Sequence, residues 1–369
     1  MALYLLKPIL WNTNKYVIPS GVRAAADSFP GKYGFGHEEW NNSPRMEFTE
    51  SGVGLRAFHT EGIKNAPVDE HAGQTFVLMI ASHDGIQQLV GVACNAIYLG
   101  KEKDEAERKR IAQKLKLKEL WRDVWALESV RHRFNDDPAG LRRIWSQDVG
   151  WVPNWVCPSQ FFMWLDKPVT LDPLAITGSG ALPKMFTSYK ALDRETAAVV
   201  MNAVPKAERT ATWARILDAM RSAPDEPVPQ QPEGEDDRAS SRLAMIQARI
   251  GQGQFRQAQM QRWGNCCAVT GLGCPELLRA SHIKPWTDST RREKLDPNNG
   301  LLLAAHLDAL FDKGLISFDD KGKMLLSSRL GVDERAHFGL PKKLRVAPDA
   351  AQSGYLAHHR DRLFDRKPG

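Results

Sequence analysis

Cysteine is scarce in this sequence, with five residues in 369. They are Cys94, Cys157, Cys266, Cys267 and Cys274, and no two of them form a Cys-X-X-Cys pair. A structural zinc site of the four-cysteine type needs two close pairs of ligands, and Cys267 with Cys274 could supply only one half. The sequence therefore argues against structural zinc and predicts buried or inert thiols.

The sequence also lacks a secretory signal peptide and any long run of apolar residues. A transmembrane helix needs about 20 consecutive, mainly apolar residues. Together with the odd number of cysteines, these absences predict a reduced, soluble, cytoplasmic protein that has no membrane partner. With 42% hydrophobic and 25% charged residues, the chain is long enough for two or three domains.

The formal net charge is only +6, but the charged residues are distributed unevenly along the chain. Residues 241–369 contain 21 Lys and Arg against 13 Asp and Glu, whereas residues 221–240 contain 2 against 6. A protein surface that binds phosphates needs a local surplus of positive charge. The sequence thus places a candidate nucleic-acid-binding surface in the last third of the chain.

Two segments in that basic region carry the residue types that phosphodiester hydrolysis requires. Residues 278–286 contain His282, and a second segment begins at Asn299 and continues through Asp308 and Asp312. Hydrolysis needs a base that takes a proton from water and a divalent ion that stabilises charge on the phosphate. Imidazole titrates near neutral pH, so His282 is the candidate base.

The remaining residues of the two segments can assist that base. Asp308 and Asp312 are four positions apart, so on a helix they share one face and can both reach one hard cation. The amide of Asn299 can hydrogen-bond across a hairpin and hold the loop that bears His282. A histidine or an Asp pair alone is usually structural, but the joint pattern is far more specific.

This pattern resembles the HNH endonuclease family, whose nuclease finger is a ββα-metal fold. In that family the asparagine precedes two helical metal ligands by nine and thirteen residues, and from Asn299 these offsets fall on Asp308 and Asp312. The resemblance covers roughly residues 241–369. It implies that His282 is the catalytic base, that Asn299 orients its loop, and that Asp308 and Asp312 are the metal ligands.

Ser281 departs from the family pattern, because many relatives have an Asp or a second His just before the base histidine as a further metal ligand. A hydroxyl is a poor ligand, so the ion would depend on the two aspartates, phosphate and water. Such oxygen-rich coordination favours Mg²⁺ or Mn²⁺ over Zn²⁺. Arg279 and Lys284 bracket the base and are predicted phosphate contacts. His306 lies off the ligand face and is a further candidate DNA contact or helix-start residue.

The first 190 residues predict an α+β domain with several aromatic loops. Phe76–Ile80 and Leu89–Ala93 flank Asp84-Gly85, which is a hairpin signal. Apolar residues at helical spacing from Glu102 to Val130 predict a helix packed on the sheet. Glycines alternate with aromatic residues between positions 33 and 40.

An α+β domain of this kind ahead of an HNH module looks like the arrangement of modification-dependent restriction endonucleases. In those enzymes a PUA-like β-barrel domain of the EVE, YTH or SRA type holds a flipped, modified base in an aromatic cage. The resemblance implies that cage candidates are Trp11, Tyr33, Phe35, Trp40 and Trp155. The alternative is that these rings cap a small β-core.

The predicted domain organisation has four parts. Residues 1–190 form the PUA-like domain, residues 191–220 a helical extension, residues 221–240 an acidic, proline-rich linker, and residues 241–369 the HNH nuclease. The leading hypothesis is a type IV restriction endonuclease that cuts double-stranded DNA carrying modified cytosine. Double-strand cutting would suggest a homodimer. The alternatives are a nuclease whose first domain senses another ligand or a protein, and an idle DNA-binding protein.

Overall fold

The computed structural model describes residues 2–21, 24–148, 153–184, 188–222, 251–290 and 292–365. The chain divides into two compact units, Met1–Gln247 and Ala248–Gly369. Nearly all of the predicted acidic linker, and the first residues of the predicted nuclease domain, lie outside the described ranges. Within those ranges, every helix falls short of the length and apolar character needed to cross a membrane.

The first unit is built on a large mixed sheet. Its strands are β1 (Leu3–Ile9), β2 (Glu47–Glu50), β3 (Val53–Phe58), β4 (Thr75–His83), β5 (Ile86–Tyr98), β6 (Trp155–Pro158), β7 (Phe162–Thr170) and β8 (Lys190–Leu192). They follow the order β2-β3-β6-β5-β4-β1-β8, and β7 pairs with β5. Among the described strand pairs of this sheet, β1 and β4 form the one parallel pair. The first unit is therefore of the mixed α+β type.

The predicted hairpin joins β4 to β5. Asp84 and Gly85 both have positive φ, 48° and 81°, as the favoured two-residue hairpin turn requires. His83 pairs with Ile86 across that turn. A two-residue turn thus sets the register in which β4 and β5 begin to pair.

The closed barrel that the PUA-like resemblance implied is not observed among the described strands. The ordered path of the sheet begins at β2 and ends at β8, and these two strands do not pair with each other. Closure requires hydrogen bonds between the first and last strands. Because β2 has four residues and β8 has three, both edges of the sheet are short.

The described part of the first unit also contains eight α-helices. They are α1 (Phe29–Tyr33), α2 (Glu105–Lys114), α3 (Trp121–Trp125), α4 (Glu128–Arg133), α5 (Pro138–Asp148), α6 (Pro173–Thr177), α7 (Arg194–Asn202) and α8 (Ala211–Ser222). The single helix predicted from Glu102 to Val130 is wrong. Helical structure is interrupted after α2, where Lys116 adopts a left-handed conformation with φ 54°. The apolar residues at helical spacing are therefore divided among three short helices.

The second unit contains two small hairpins and several helices. After the described part of α9, residues 251–262, come β9 (Leu278–His282), β10 (Gly300–Ala304), α10 (Ala305–Asp312), β11 (Ile316–Phe318), β12 (Met324–Leu326), α11 (Val332–His337) and α12 (Ala350–Arg362). Leu278, Leu302 and Phe311 belong to its buried core. Cys267 is also buried there, and its Sγ accepts a hydrogen bond from the Ala304 amide over 3.2 Å.

Candidate active site

The hairpin β9–β10 and the helix α10 form a ββα unit. His282 pairs with Gly300, and Ser281 pairs with Leu301, in an antiparallel register. Helix α10 begins at Ala305, directly after β10 ends. Ser281 and His282 are thus the last two residues of β9, where the strand meets the loop that follows it.

Ser281 and the two aspartates of α10 form a cluster of oxygen atoms. The Ser281 hydroxyl lies 3.3 Å from Asp312 Oδ1, to which it donates a hydrogen bond, and Ser281 also acts to lower the pKa of Asp308. Desolvation raises the pKa of Asp308, although Arg279 opposes this shift with its positive charge. Partial desolvation and the neighbouring Asp308 carboxylate raise the pKa of Asp312 to about 6.

This cluster fits a hard divalent cation. Its donors are two carboxylates and one hydroxyl, all of them oxygen, and Mg²⁺ and Mn²⁺ prefer oxygen ligands. Burial and the neighbouring Asp308 carboxylate both raise the pKa of Asp312, and a bound cation would offset both effects. Across the described ranges, no group of three His, Cys, Asp or Glu residues is arranged to hold a metal. The cluster has two such residues, Asp308 and Asp312, because its third member, Ser281, is a serine.

His282 is held by contacts on three sides. Its Nε2 lies 3.1 Å from the carbonyl oxygen of Lys294, its ring stacks on Phe255 with 3.7 Å between centroids, and Trp286 meets it edge-on at 5.4 Å. A carbonyl can only accept, so Nε2 carries the proton and Nδ1 has the free lone pair. Burial lowers the pKa of His282, and the neutral form that can act as a base is therefore favoured at neutral pH.

Asn299 is completely buried and holds the loop that follows His282. The Lys284 amide donates to Asn299 Oδ1 over 2.8 Å. The Asn299 amide group donates to the Glu293 carbonyl at 3.1 Å and to the Ser289 hydroxyl at 3.2 Å. These bonds tie the two ends of the loop to one side chain. The loop includes Lys294, whose carbonyl orients His282.

Gly300 lets α9 approach the hairpin, a feature that the sequence interpretation missed. A Cβ atom on Gly300 would lie 2.4 Å from Gln259 Nε2 and 2.5 Å from Phe255 Cζ, so only glycine fits without rearrangement. Phe255 is almost fully buried. The sequence signals for this contact were the Asn299-Gly300 pair and an apolar residue on a predicted helix. No short stretch of sequence linked Phe255 to His282.

The three predicted DNA-contacting residues differ in their surroundings. Lys284 Nζ lies 2.9 Å from both carboxylate oxygens of Glu293, so its charge is matched within the loop. Arg279 acts electrostatically on Asp308. His306 is exposed and stacks on Phe338, with ring centroids 5.8 Å apart. Of the three, Arg279 is the residue whose positive charge acts on the Asp308 carboxyl.

Phe35 and Trp40, two of the predicted cage residues, are fully buried in the first unit. Both rings pack against Trp145, at 5.7 Å and 5.5 Å between centroids. The Trp40 indole also donates to Asp123 Oδ2 over 3.0 Å. Neither ring presents an open face to a ligand in this structure.

The structure does not bring the five predicted cage residues into one cluster. Trp155 is fully buried, stacks on Phe58 at 5.7 Å and belongs to the core beneath the sheet. Tyr33 lies apart from it, with Phe134 at 6.3 Å. Trp11 is half-buried, packs against the same core as Trp155 and stacks on His83 at 4.9 Å. Of the five, Trp11 is the residue that is partly exposed and also packs against the core that contains Trp155.

Residues 267–319 match the model of an HNH endonuclease family, HNH_2. The match includes both strands of the hairpin, Asn299 and the whole of α10. No curated protein matches the chain. The second unit thus carries an HNH endonuclease domain, and residues before 267 lie outside the matched segment.

Proposed function

We propose that this protein is a divalent-metal-dependent DNA endonuclease whose HNH domain hydrolyses the phosphodiester bond. The observation that carries the proposal is the arrangement of a neutral, oriented histidine and a carboxylate pair on one ββα unit. His282 has its Nδ1 lone pair available. Asp308 and Asp312 of α10 form an oxygen cluster with Ser281 of β9. The match to HNH endonucleases supports the same chemistry.

In the proposed mechanism, His282 Nδ1 takes a proton from a water molecule that attacks the phosphorus atom. A new phosphorus–oxygen bond forms, the bond to a deoxyribose oxygen breaks, and that oxygen takes a proton from solvent. Asp308 and Asp312 would hold Mg²⁺ or Mn²⁺, which when bound stabilises the charge on the phosphate and the leaving oxygen. Asn299 and Phe255 keep the imidazole in position, and Arg279 can contact the phosphate.

The first unit is the proposed selector of the DNA substrate. We infer that it recognises modified cytosine in double-stranded DNA, which would make the protein a type IV restriction enzyme. The support is the domain order, a mixed sheet and the aromatic residues packed on its core. A protein partner or another ligand for this unit is the second candidate. An idle DNA-binding protein is the third candidate, since Ser281 replaces a metal ligand.

Cleavage of one DNA sequence in three forms tests this proposal. The DNA is prepared unmodified, with 5-methylcytosine and with 5-hydroxymethylcytosine, and each form is incubated with Mg²⁺ or Mn²⁺. We expect cleavage of a modified form only, and loss of cleavage but not of DNA binding in His282→Ala. Equal cleavage of all three would leave the nuclease and remove the cytosine selectivity. No cleavage of any form would favour an idle binder.

A further inference from the structure

Lys323 and Lys343 lie directly opposite each other in the second unit. They form an isolated antiparallel bridge, with Lys323 immediately before β12 and Lys343 in the segment that follows α11. Backbone hydrogen bonds of 3.1 Å and 2.8 Å join the residues on either side of the pair rather than the two lysines themselves. In antiparallel strands, opposite side chains come closest at a pair of this non-hydrogen-bonded kind. The two lysine side chains therefore leave the backbone close together on one face.

This face of the bridge is turned to solvent. The neighbours Met324 and Leu344 are buried in the core of the second unit, and successive residues of an extended chain point to opposite faces. Lys323 and Lys343 therefore point away from the core, and both are exposed. Their charged groups are accessible to a partner that arrives from solvent.

No carboxylate of the described residues forms an ion pair with either lysine. The adjoining turn contains two aspartates, but both are engaged elsewhere. Asp319 accepts hydrogen bonds from two backbone amides of its own turn, at 2.9 Å and 2.8 Å, and Asp320 pairs with Arg360 at 2.9 Å. Like charges directly opposite each other destabilise a strand pair. The pair thus costs stability that the described contacts do not return.

Lys342 extends this positive charge towards the start of α10. Phe338, four residues earlier, stacks on His306 in the first turn of α10, with 5.8 Å between the ring centroids. The Lys342 Nζ folds back over the same segment, 3.9 Å from the position that a Cβ atom on Gly339 would take. Burial and the positive charge of Lys342 lower the pKa of His306. Lys342 thus connects the lysine pair with the helix that carries Asp308.

Two arginines that lie between Lys323 and Lys343 in the sequence have clear structural roles. Arg335 donates to two backbone carbonyls, at 2.7 Å and 3.0 Å, and Arg329 donates to one, at 2.8 Å. The ammonium groups of Lys323, Lys342 and Lys343 donate no such hydrogen bond within the described part of the chain. The arginines are used to hold the fold, whereas the charges of the three lysines are not.

We propose that Lys323, Lys342 and Lys343 form a binding surface for the phosphate backbone of double-stranded DNA, outside the segment 267–319 that matches the HNH family. The proposal rests on the nuclease function proposed above and adds a surface that holds the substrate. A phosphate backbone supplies a row of negative charges to meet all three ammonium groups, and such contacts are independent of base sequence. The lysine surface therefore contributes affinity for DNA rather than selectivity among DNA sequences.

The test is the DNA affinity of the full-length protein, measured by fluorescence anisotropy without divalent ions over a range of salt concentrations. The probes are one duplex unmodified and the same duplex with 5-methylcytosine. We expect the double variant Lys323→Gln, Lys343→Gln to bind both duplexes about tenfold more weakly at low salt. The slope of log affinity against log salt should fall in magnitude by about two, since each phosphate contact contributes about one. The ratio of the two affinities should stay unchanged.

The double variant Lys323→Arg, Lys343→Arg is the matched control. It keeps both positive charges, so the affinity and the salt slope should stay close to those of the wild type. The glutamine double variant should melt at a slightly higher temperature than the wild type at low salt, because a repulsion is removed, and salt should shrink this difference. A lower melting temperature together with weaker binding would make the lysines structural and overturn the proposal.

The remaining outcomes separate the surface from the nuclease function on which it rests. Unchanged affinity and slope in the glutamine double variant, in a protein that binds and cuts DNA, would overturn the surface and leave the nuclease standing. Unchanged DNA affinity together with weaker binding of poly-glutamate would assign the surface to an acidic protein and overturn the DNA assignment. A wild-type protein that neither binds nor cuts DNA would overturn both the nuclease function and the surface.

Discussion

The imidazole of His282 lies flat against the phenyl ring of Phe255, with 3.7 Å between the ring centroids and 11° between the planes. Phe255 belongs to α9, and His282 ends β9, so the contact joins two elements that are distant in sequence. The stack leaves the imidazole little rotational freedom, and the Lys294 carbonyl fixes its proton on Nε2. The geometry of the proposed base thus depends on a residue outside the matched family segment.

Phe255→Leu should reduce the rate of DNA cleavage by about tenfold to a hundredfold. The smaller, flexible side chain would allow the imidazole to tilt, and a misplaced base loses much of its catalytic effect. Single-turnover cleavage rates measure this effect, with DNA affinity determined separately and expected to stay unchanged.

Phe338→Leu provides the matched control for that variant. Phe338 also stacks on a histidine, His306, at 5.8 Å, but His306 is not the proposed base. We expect a smaller effect on the cleavage rate. If the two variants slowed cleavage equally, the Phe255 contact would have no special role in positioning His282.

Asn299→Ala should destabilise the protein by about 2–4 kcal/mol. The change leaves the partly buried Lys284 amide without its 2.8 Å acceptor and removes the donor to the Glu293 carbonyl, and each unsatisfied buried group costs about 1–3 kcal/mol. Denaturant unfolding measures the loss. Asn298→Ala, at a half-buried neighbour, is the control and should cost less; equal losses would contradict a loop-holding role for Asn299.

Metal affinity should rise with pH until about pH 6 and then level off. The pKa of Asp312 is raised to about 6, and a cation competes with the proton that Asp312 holds below that value. Below pH 6, affinity should therefore fall about tenfold for each pH unit. Calorimetric titration of Mn²⁺ measures the dependence, and an affinity independent of pH between 5 and 7 would contradict the assignment.

The stability of the metal-free protein should show the opposite dependence on pH and fall as the pH rises. Between about pH 4 and pH 6, the folded protein holds a proton on Asp312 that the unfolded chain has already released, so stability falls as the pH rises through this window. Asp312→Asn should remove this dependence and abolish Mn²⁺ binding. Thermal unfolding in the presence of a chelator tests it; a slope that persists in the variant would assign the titration to another group.

Ser281→Asp should raise Mn²⁺ affinity by about tenfold or more. It places a carboxylate next to Asp308 and Asp312, where Ser281 now donates a hydrogen bond, and carboxylates are stronger ligands than hydroxyls. The metal-free variant should unfold at a lower temperature, because three negative charges repel one another. Ser281→Ala is the control and should not gain affinity. Unchanged affinity in Ser281→Asp would indicate that position 281 points away from the ion.

Much of the HNH domain was predictable because its pattern is local. His282 ends the first strand of the hairpin, Asn299 directly precedes the second, and Asp308 and Asp312 are one helical turn apart. Such spacings depend on strand pairing and on 3.6 residues per turn, which short stretches of sequence encode directly. The hairpin at Asp84-Gly85 was predictable for the same reason, since the turn needs two residues that accept positive φ.

Tertiary structure decided which side chains meet across long distances in sequence. The aromatic spacing could not show that Phe35, Trp40 and Trp155 fill the core, because a tryptophan in a cage and one in a core have the same local pattern. Nor could it show that Glu293 matches the charge of Lys284, or that Phe255 lies on His282. Amino-acid types and short spacings determined the chemistry that this chain can offer, whereas packing, which sums many long-range contacts, determined which groups are exposed, paired and oriented to use it.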